Sequence, residues 1–428
     1  MESSSSSESD IIDRKNNGDQ SQYKVYSYRW VVLILFMFVG AMTQVIWITF
    51  AGVTTESAIY YFGSVTSFSE NMILLLSVVF MIAYLPVNFF ACWLIDKLGL
   101  KWGTGIGVIF TGVFGFLRAV SANYWLVLTF QIMVAIGQPF VLNSFTKLAS
   151  NWFPEKEKTL ASGLATLAVL LGIIIAFITS PYILGSTEPY RMPVLLYSFG
   201  GAGLLSMVLY LIFVKDKPPT PANAYSDKSR VLATKGTFSL FKKRDFTYLF
   251  FLLFIGLGAF NAISTVLDIV FDYPEGSEIP GLIGGVMTIG GILGAIIIST
   301  LSDRFRKRKI FIIIAMFAGA ILTPILIFVP IDVVRFIVGF VFGFLLVSAL
   351  PVGLTFAAEI TYPVPEETSN GFMQWAGQIS GILFLGSIML TNVYNVSLMF
   401  INIVIISAMF VVGIILAFLM KDLDAYQI

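Results

Sequence analysis

From Trp30 onward the chain alternates between long apolar runs and short polar interruptions. The runs fall at about 30 to 60, 72 to 95, 102 to 120, 124 to 148, 160 to 184 and 192 to 214. After a polar stretch they resume at about 246 to 271, 281 to 301, 310 to 329, 331 to 357, 369 to 391 and 396 to 419. Inside a run the apolar positions are continuous, and each run approaches the roughly 20 residues that carry a helix across a bilayer. A barrel strand would alternate over about half that length. The pattern therefore predicts an all-α membrane protein of twelve transmembrane helices in two pseudo-symmetric six-helix bundles. Residues 1–27 read as a disordered tail, 28–214 as the first bundle, 215–245 as a linker, 246–420 as the second bundle and 421–428 as a closing tail.

The interruptions repeat. Trp93-Leu94-Ile95-Asp96-Lys97-Leu98-Gly99-Leu100-Lys101 separates the second and third runs, and Leu301-Ser302-Asp303-Arg304-Phe305-Arg306-Lys307-Arg308-Lys309 separates the eighth and ninth, with Asp303 standing 207 residues beyond Asp96. Gly40-Ala41-Met42-Thr43 in the first run is matched by Gly258-Ala259-Phe260-Asn261 in the seventh. Phe153-Pro154-Glu155 after the fourth is matched by Tyr362-Pro363-Val364-Pro365-Glu366 after the tenth. Three matches in one order indicate parallel halves.

Basic residues near span ends set the orientation. With both termini cytoplasmic, the inner loops and tails hold all 26 Lys and Arg except Arg118, Arg191 and Arg335. Shifting the topology by one span would reverse that asymmetry, so the number of spans is even. The stretch around 215 to 245 carries eight of these cations and reads as the cytoplasmic linker. The serine-rich start is too polar to fold alone, and it lacks the basic opening and short apolar core of a secretory signal. A sequon, Asn395-Val396-Ser397, falls in an expected outer loop and fits the cell membrane.

Composition narrows the chemistry. The chain is 57% hydrophobic and 12% charged, with mean hydropathy +0.88, whereas soluble domains carry about a quarter charged residues. A net charge of +1 offers no basic surface for nucleic acid. There is no histidine, which removes the commonest metal ligand and the usual general base. One cysteine, Cys92, excludes an internal disulfide framework. An enzyme is thus disfavoured, and neither cofactor nor metal is expected. A receptor or sensor would not need two parallel halves, and remains the alternative outside transport.

These halves and the Asp96, Gly99 and Lys101 turn resemble the major facilitator superfamily, whose two six-helix bundles rock about a central site. Within it, Tyr28-Arg29-Trp30-Val31-Val32-Leu33, Ala83-Tyr84-Leu85-Pro86 running into Cys92-Trp93-Leu94-Ile95-Asp96, and Ala149-Ser150-Asn151-Trp152-Phe153 resemble the family of the feline leukaemia virus subgroup C receptor, solute carrier family 49. That resemblance implies a secondary transporter acting by alternating access on a small organic solute, with choline- or ethanolamine-like amines foremost, working as a monomer in a lipid bilayer. A proton-coupled carrier of a vitamin, haem or a small organic anion is the alternative; for haem, no histidine is present to ligate the iron.

Several polar or aromatic side chains fall at mid-depth. Trp47 lies about 25 Å along the first span, where an indole either packs or faces a substrate cation. The resemblance places Trp47 where choline-transporting members have a cage tryptophan, and puts Asn261 where they have its partner tyrosine, leaving Trp375 or Phe260 as substitutes. Gln138 and Gln378 are amides too costly to face lipid, and the resemblance assigns both to the substrate; Gln44, Asn143 and Gln374 are lesser candidates. Asp268 and Glu56 are acids within spans but near the outer mouth, so they serve coupling only weakly and a uniporter is favoured. Asp96, Lys97, Lys101, Asp303 and Arg304 are expected to gate, their ion pairs forming when the cytoplasmic side closes and releasing when it opens.

Overall fold

A computed structural model of the chain describes residues 24–154, 157–185, 191–220, 237–271, 273–274, 277–361, 366–394 and 396–421. Most of the serine-rich tail, the middle of the linker, the Pro363 motif, Asn395 and most of the closing tail lie outside the described residues. Span 1 is Tyr28–Ile48, which breaks and restarts as Thr54–Phe62. Spans 2 and 3 share the stretch Ser67–Ile109, and span 3 is completed by Phe110–Phe114 and Gly115–Leu117. Span 4 comprises Tyr124–Leu142 and Phe145–Trp152, span 5 Lys158–Leu184 and span 6 Met192–Phe213. A short 3₁₀ turn, Thr237–Lys242, leads into span 7, Arg244–Val270. Spans 8 and 9 are Ile279–Phe305 and Arg308–Phe328, span 10 is Asp332–Leu346 with Ala349–Thr361, and spans 11 and 12 are Glu366–Tyr394 and Val396–Leu419.

Eleven helices among the described residues are long and apolar enough to cross a membrane. The one reaching from Ser67 to Leu117 contains two spans, because Gly99 takes φ 82° and ψ 177° within it. That backbone is open to glycine and strained for other residues. Beyond it the chain folds back sharply enough that Gly103 packs on Ile95. The count among the described residues is therefore twelve, as the hydropathy pattern predicts, and the outer ends of the first and last spans fall on one face, called here the terminal face and opposed to a distal face.

Burial separates central from peripheral spans. Span 7 is 72% buried and span 1 67% buried, against 39% for spans 5, 6 and 12. Spans 1 and 7 therefore sit where the bundles meet, while span 12 turns Ile401, Val404, Ile405, Val412 and Ile415 outward at helical spacing. Lipid tails give apolar side chains no reason to leave them, so close packing rather than desolvation holds such helices together. Spans 8 and 10 show it: Gly290 and Gly294 on one lie so close to the carbonyls of Phe340 and Phe344 on the other that a methyl could not enter. Gly343 meets the carbonyl of Met287 in the same way.

The structure corrects two readings and adds a third observation. Span 1 is not continuous from 30 to 60, since its helix stops at Ile48 and Glu56 belongs to the restarted segment. Spans 4 and 10 are each interrupted, at 143–144 and 347–348. Arg118 and Arg335, which the hydropathy runs place near the distal ends of spans, are buried, with Arg335 lying 4.4 Å from the ring centre of Phe271 and 5.2 Å from that of Tyr273. Neither adds a charge to a distal loop, which keeps the charge asymmetry sharp.

Candidate functional site

Trp47 ends up one residue before the last of span 1's first helix, half-buried. Its Nε1–H donates to the carbonyl of Ser77 on span 2 at 3.1 Å. One turn further along span 2, Met81 meets span 11 at Gly381, where a Cβ would lie 2.7 Å from the methionine sulfur. The same Gly381 position is 3.7 Å from Nδ2 of Asn261 on span 7. Trp47, Ser77, Met81, Gly381 and Asn261 thus form one run of neighbours across spans 1, 2, 11 and 7, joining both bundles at mid-depth.

The remaining candidates sit around this run to different extents. Gln378 lies one turn from Gly381 on span 11, half-buried, and Gln374 one turn beyond it. Gln138 is buried on span 4 at about 21 Å from that helix's distal end, but no contact described joins it to the run. Gln44 is buried on span 1. Asn143 sits at the break of span 4 and donates to Asn88 Oδ1 at 2.7 Å, with the Tyr84 hydroxyl 3.5 Å from its own oxygen, so its amide is engaged within the first bundle. Phe260 stacks on Phe342, 6.3 Å between centroids and 16° between planes, and is core. Trp375 sets its ring edge-on to Phe89 of span 2 at 4.7 Å, and its buried Nε1 has no partner among the described residues. None of Trp47, Gln138, Asn261, Gln378 and Trp375 is exposed.

Toward the distal face the bundles are closed on one another. The backbone N–H of Thr55, at the start of the restarted segment of span 1, donates to Asp268 Oδ2 of span 7 at 2.9 Å. Asn71 of span 2 donates to the carbonyl of Met389 of span 11 at 2.7 Å. Gly281 at the start of span 8 packs on the carbonyl of Phe177 and the ring of Pro181 of span 5, and lies 3.5 Å from where a Cβ on Gly52 would be. Asp268, the weak candidate for coupling, bonds the first turn of a helix of the opposite bundle. A carboxylate at this position meets the unbonded N–H groups and the positive end of that helix's dipole.

At the terminal face each charged turn is tied within its own bundle. Asp96 pairs with Lys147 of span 4 at 2.9 Å, and the same ammonium donates to the carbonyl of Ile95 at 2.7 Å. Asp303 pairs with Arg308, which also bonds Glu359 of span 10 at 3.0 Å. Lys97 lies over Trp93 and Lys101 over Trp102, and Arg304 is exposed. Both acids are therefore paired while the distal side is closed. Their partners are Lys147 and Arg308 rather than Lys97, Lys101 and Arg304.

Four residues escaped the sequence reading. Lys147 and Glu359 lie dozens of positions from the turns they hold. Asp216, just past span 6, accepts from the N–H of Lys101 at 3.0 Å and so caps the start of span 3; nothing in a linker marks such a residue. Arg118 is wholly buried at the end of span 3 and bonds Gln131 of span 4 at 2.7 Å. No group of three or more metal-ligating side chains occurs among the described residues.

A family model described as the Major Facilitator Superfamily matches residues 30–385. The chain is 31% identical to solute carrier family 49 member A3 of Xenopus tropicalis, over 86% of this chain and 79% of that protein. It is 28% identical to the human choline/ethanolamine transporter FLVCR2, over 86% of this chain and 72% of the relative. An uncharacterized MFS-type transporter of Caenorhabditis elegans is 30% identical over 84% of this chain, which spans 64% of that relative's length. Among solved structures, the xylose transporter XylE from E. coli, in a partially occluded inward open conformation, superposes with a TM-score of 0.72 at 14% identity, covering 93% of this chain and 99% of that one. A bacterial homolog of the human lysosomal transporter Spinster, inward-facing and unoccupied, gives 0.69 at 15% identity over 92% and 97%. At such identities these two bear on the fold alone.

Proposed function

The chain belongs to the major facilitator superfamily and, within it, to solute carrier family 49, and from that premise we propose that it carries a small amine or amino alcohol across the bilayer as a uniporter. It is a transporter rather than an enzyme, working by alternating access between its two bundles. The observation that carries the substrate reading is the mid-depth run from Trp47 to Asn261, where an indole face is offered with neutral amides. Among the described residues no Asp or Glu lies in the middle of a span, so a cation would be held by the ring quadrupole and by amide oxygens rather than by a carboxylate. Such cation–π attraction is worth about 2 kcal/mol in a dry site.

An amide at Asn261, rather than a second aromatic ring, favours ethanolamine over choline. A quaternary ammonium has no hydrogen to donate and gains from a second aromatic wall, whereas a primary ammonium and a hydroxyl both bond to amides such as Asn261, Gln378 and Gln138. Asp268 enters as a distal latch, consistent with the absence of a mid-depth proton carrier. We place the terminal face in the cytoplasm, on the charge asymmetry, and the protein in the plasma membrane as a monomer. Uptake of radiolabelled ethanolamine and choline into proteoliposomes tests the reading. Ethanolamine uptake that falls at least tenfold in Trp47→Ala and survives in Trp47→Phe supports it. Uptake of both solutes that is indifferent to Trp47→Ala, or no uptake of either, would sink it.

A further inference from the structure

Span 1 ends its first helix at Ile48, so the carbonyl of Ile46 is one of the last four that lack an amide donor one turn on. Donors from elsewhere replace it. Thr49 Oγ1 lies at 3.1 Å, Arg118 Nη1 at 3.1 Å and Gln131 Nε2 at 3.4 Å. Arg118 is a cation with no exposed surface, and the groups it bonds are neutral: the carbonyls of Ile46 and Gly115 and the side-chain oxygen of Gln131. Its charge is favoured by the negative end of the helix dipole of span 1, against which it sits, and by the Phe50 ring, 5.8 Å away.

Local structure explains how a residue at the end of span 3 comes to face inward. Phe110–Phe114 is a π-helical turn, which fits an extra residue into the helix and swings everything after it by about 100° relative to a regular helix. Gly115 then lets Ile46 approach, its side chain 2.7 Å from where a Cβ would stand.

Gln131 completes the arrangement. With its oxygen on Arg118, its amide nitrogen reaches the carbonyls of both Ile46 and Leu76, the latter at 3.0 Å. Ile46 precedes Trp47, and Leu76 precedes Ser77, whose carbonyl accepts the indole N–H. One side chain therefore fixes the backbone on both sides of the indole's hydrogen bond. We propose that Arg118 and Gln131 are positioning residues for the substrate site: they clamp the broken end of span 1 to spans 2, 3 and 4 and so set the angle of the Trp47 ring. The restarted segment Thr54–Phe62 lies beyond the clamp and moves with the distal gate without dragging Trp47 along. This rests on the reading of Trp47 as a substrate residue.

The test uses full-length protein in lipid nanodiscs for fluorescence and in proteoliposomes for ethanolamine uptake. The emission of Trp47 is taken as the difference between each variant and the same variant carrying Trp47→Phe. Arg118→Met and Gln131→Leu should each shift that emission to longer wavelength and raise the KM for ethanolamine about tenfold with the maximal rate within about twofold. Arg118→Lys, which keeps a cation at the helix end, should return most of both; if Arg118→Met does not fold, Gln131→Leu carries the test. Unmoved Trp47 emission in the variants that fold overturns the clamp whatever the substrate is. A fall in maximal rate at constant KM also overturns it, since that would make Arg118 part of the gate motion. Shifted emission together with ethanolamine uptake indifferent to Trp47→Ala supports the clamp and removes the substrate reading instead.

Discussion

Gly281 offers the sharpest lever on the transport cycle. It opens span 8 against the carbonyl of Phe177 and Pro181 of span 5, in a contact between the bundles on the closed distal side. A methyl there would stand 2.7 Å from Pro181 Cγ and closer still to the Phe177 carbonyl. Carbon atoms settle at roughly 3.5 to 4.0 Å, so the two spans must part by about an ångström, and a backbone carbonyl cannot rotate aside. Overpacking of this kind costs about 1–3 kcal/mol. Because the contact joins two bundles rather than lying inside one, the cost falls on the distally closed state and not on folding. Gly281→Ala should therefore move the equilibrium toward the distally open state by roughly 5- to 150-fold. The assay is the rate at which a membrane-impermeant maleimide, added from the distal side, labels Ser264→Cys in a Cys92→Ser background. Ser264 is buried on span 7 one turn from Asp268. Gly163→Ala, whose Cβ would meet nothing within 4 Å, serves as the control. Equal labelling rates for the two glycine variants, with both folded, would refute the claim that this contact is a gate.

Two further outcomes follow from the same geometry. Asp268→Asn keeps the shape of the latch but loses the charge on the acceptor of the Thr55 N–H; with charge-assisted bonds roughly twice as strong as neutral ones, the same labelling assay should speed up about fivefold, and an unchanged rate would remove the latch. Gly99→Ala forces a side chain into positive φ and toward Asp216, whose carboxylate carbon lies 3.0 Å from that Cβ; it should cost about 1 kcal/mol or more, read as a lowered Tm in detergent, whereas an unchanged Tm would mean that the turn relaxes freely.

The spans were legible because their signal is bulk composition: twenty apolar residues in a row mean a crossing wherever the chain goes next. The paired acids Asp96 and Asp303 were legible because the duplication repeats them. Lys147 was not, since it reaches Asp96 from a different helix, and hydrophobic periodicity carries no information about which polar residue meets which. The break in span 1 also escaped. Its only mark in Thr49-Phe50-Ala51-Gly52-Val53 is a single glycine, and glycines are frequent in membrane helices. The inward direction of Arg118 was hidden for a related reason: it depends on the π-helical turn at Phe110–Phe114, and Phe-Thr-Gly-Val-Phe does not differ in kind from the regular helix around it. Depth could be counted along the chain, and it put Trp47, Asn261 and Gln378 in one layer; rotation about the helix axis could not.

The glycine seam between spans 8 and 10 has a mechanical side. Where side chains interdigitate, a push on one helix is partly absorbed as rotamers adjust. Here backbone rests on backbone, with no cushion to compress. Span 8 therefore behaves as a stiff beam of about 40 Å, stiffened by span 10 along its middle. Gly281 is bolted to the distal closure at one end and Asp303 to its arginine at the other. A displacement imposed at the first end arrives at the second nearly undiminished.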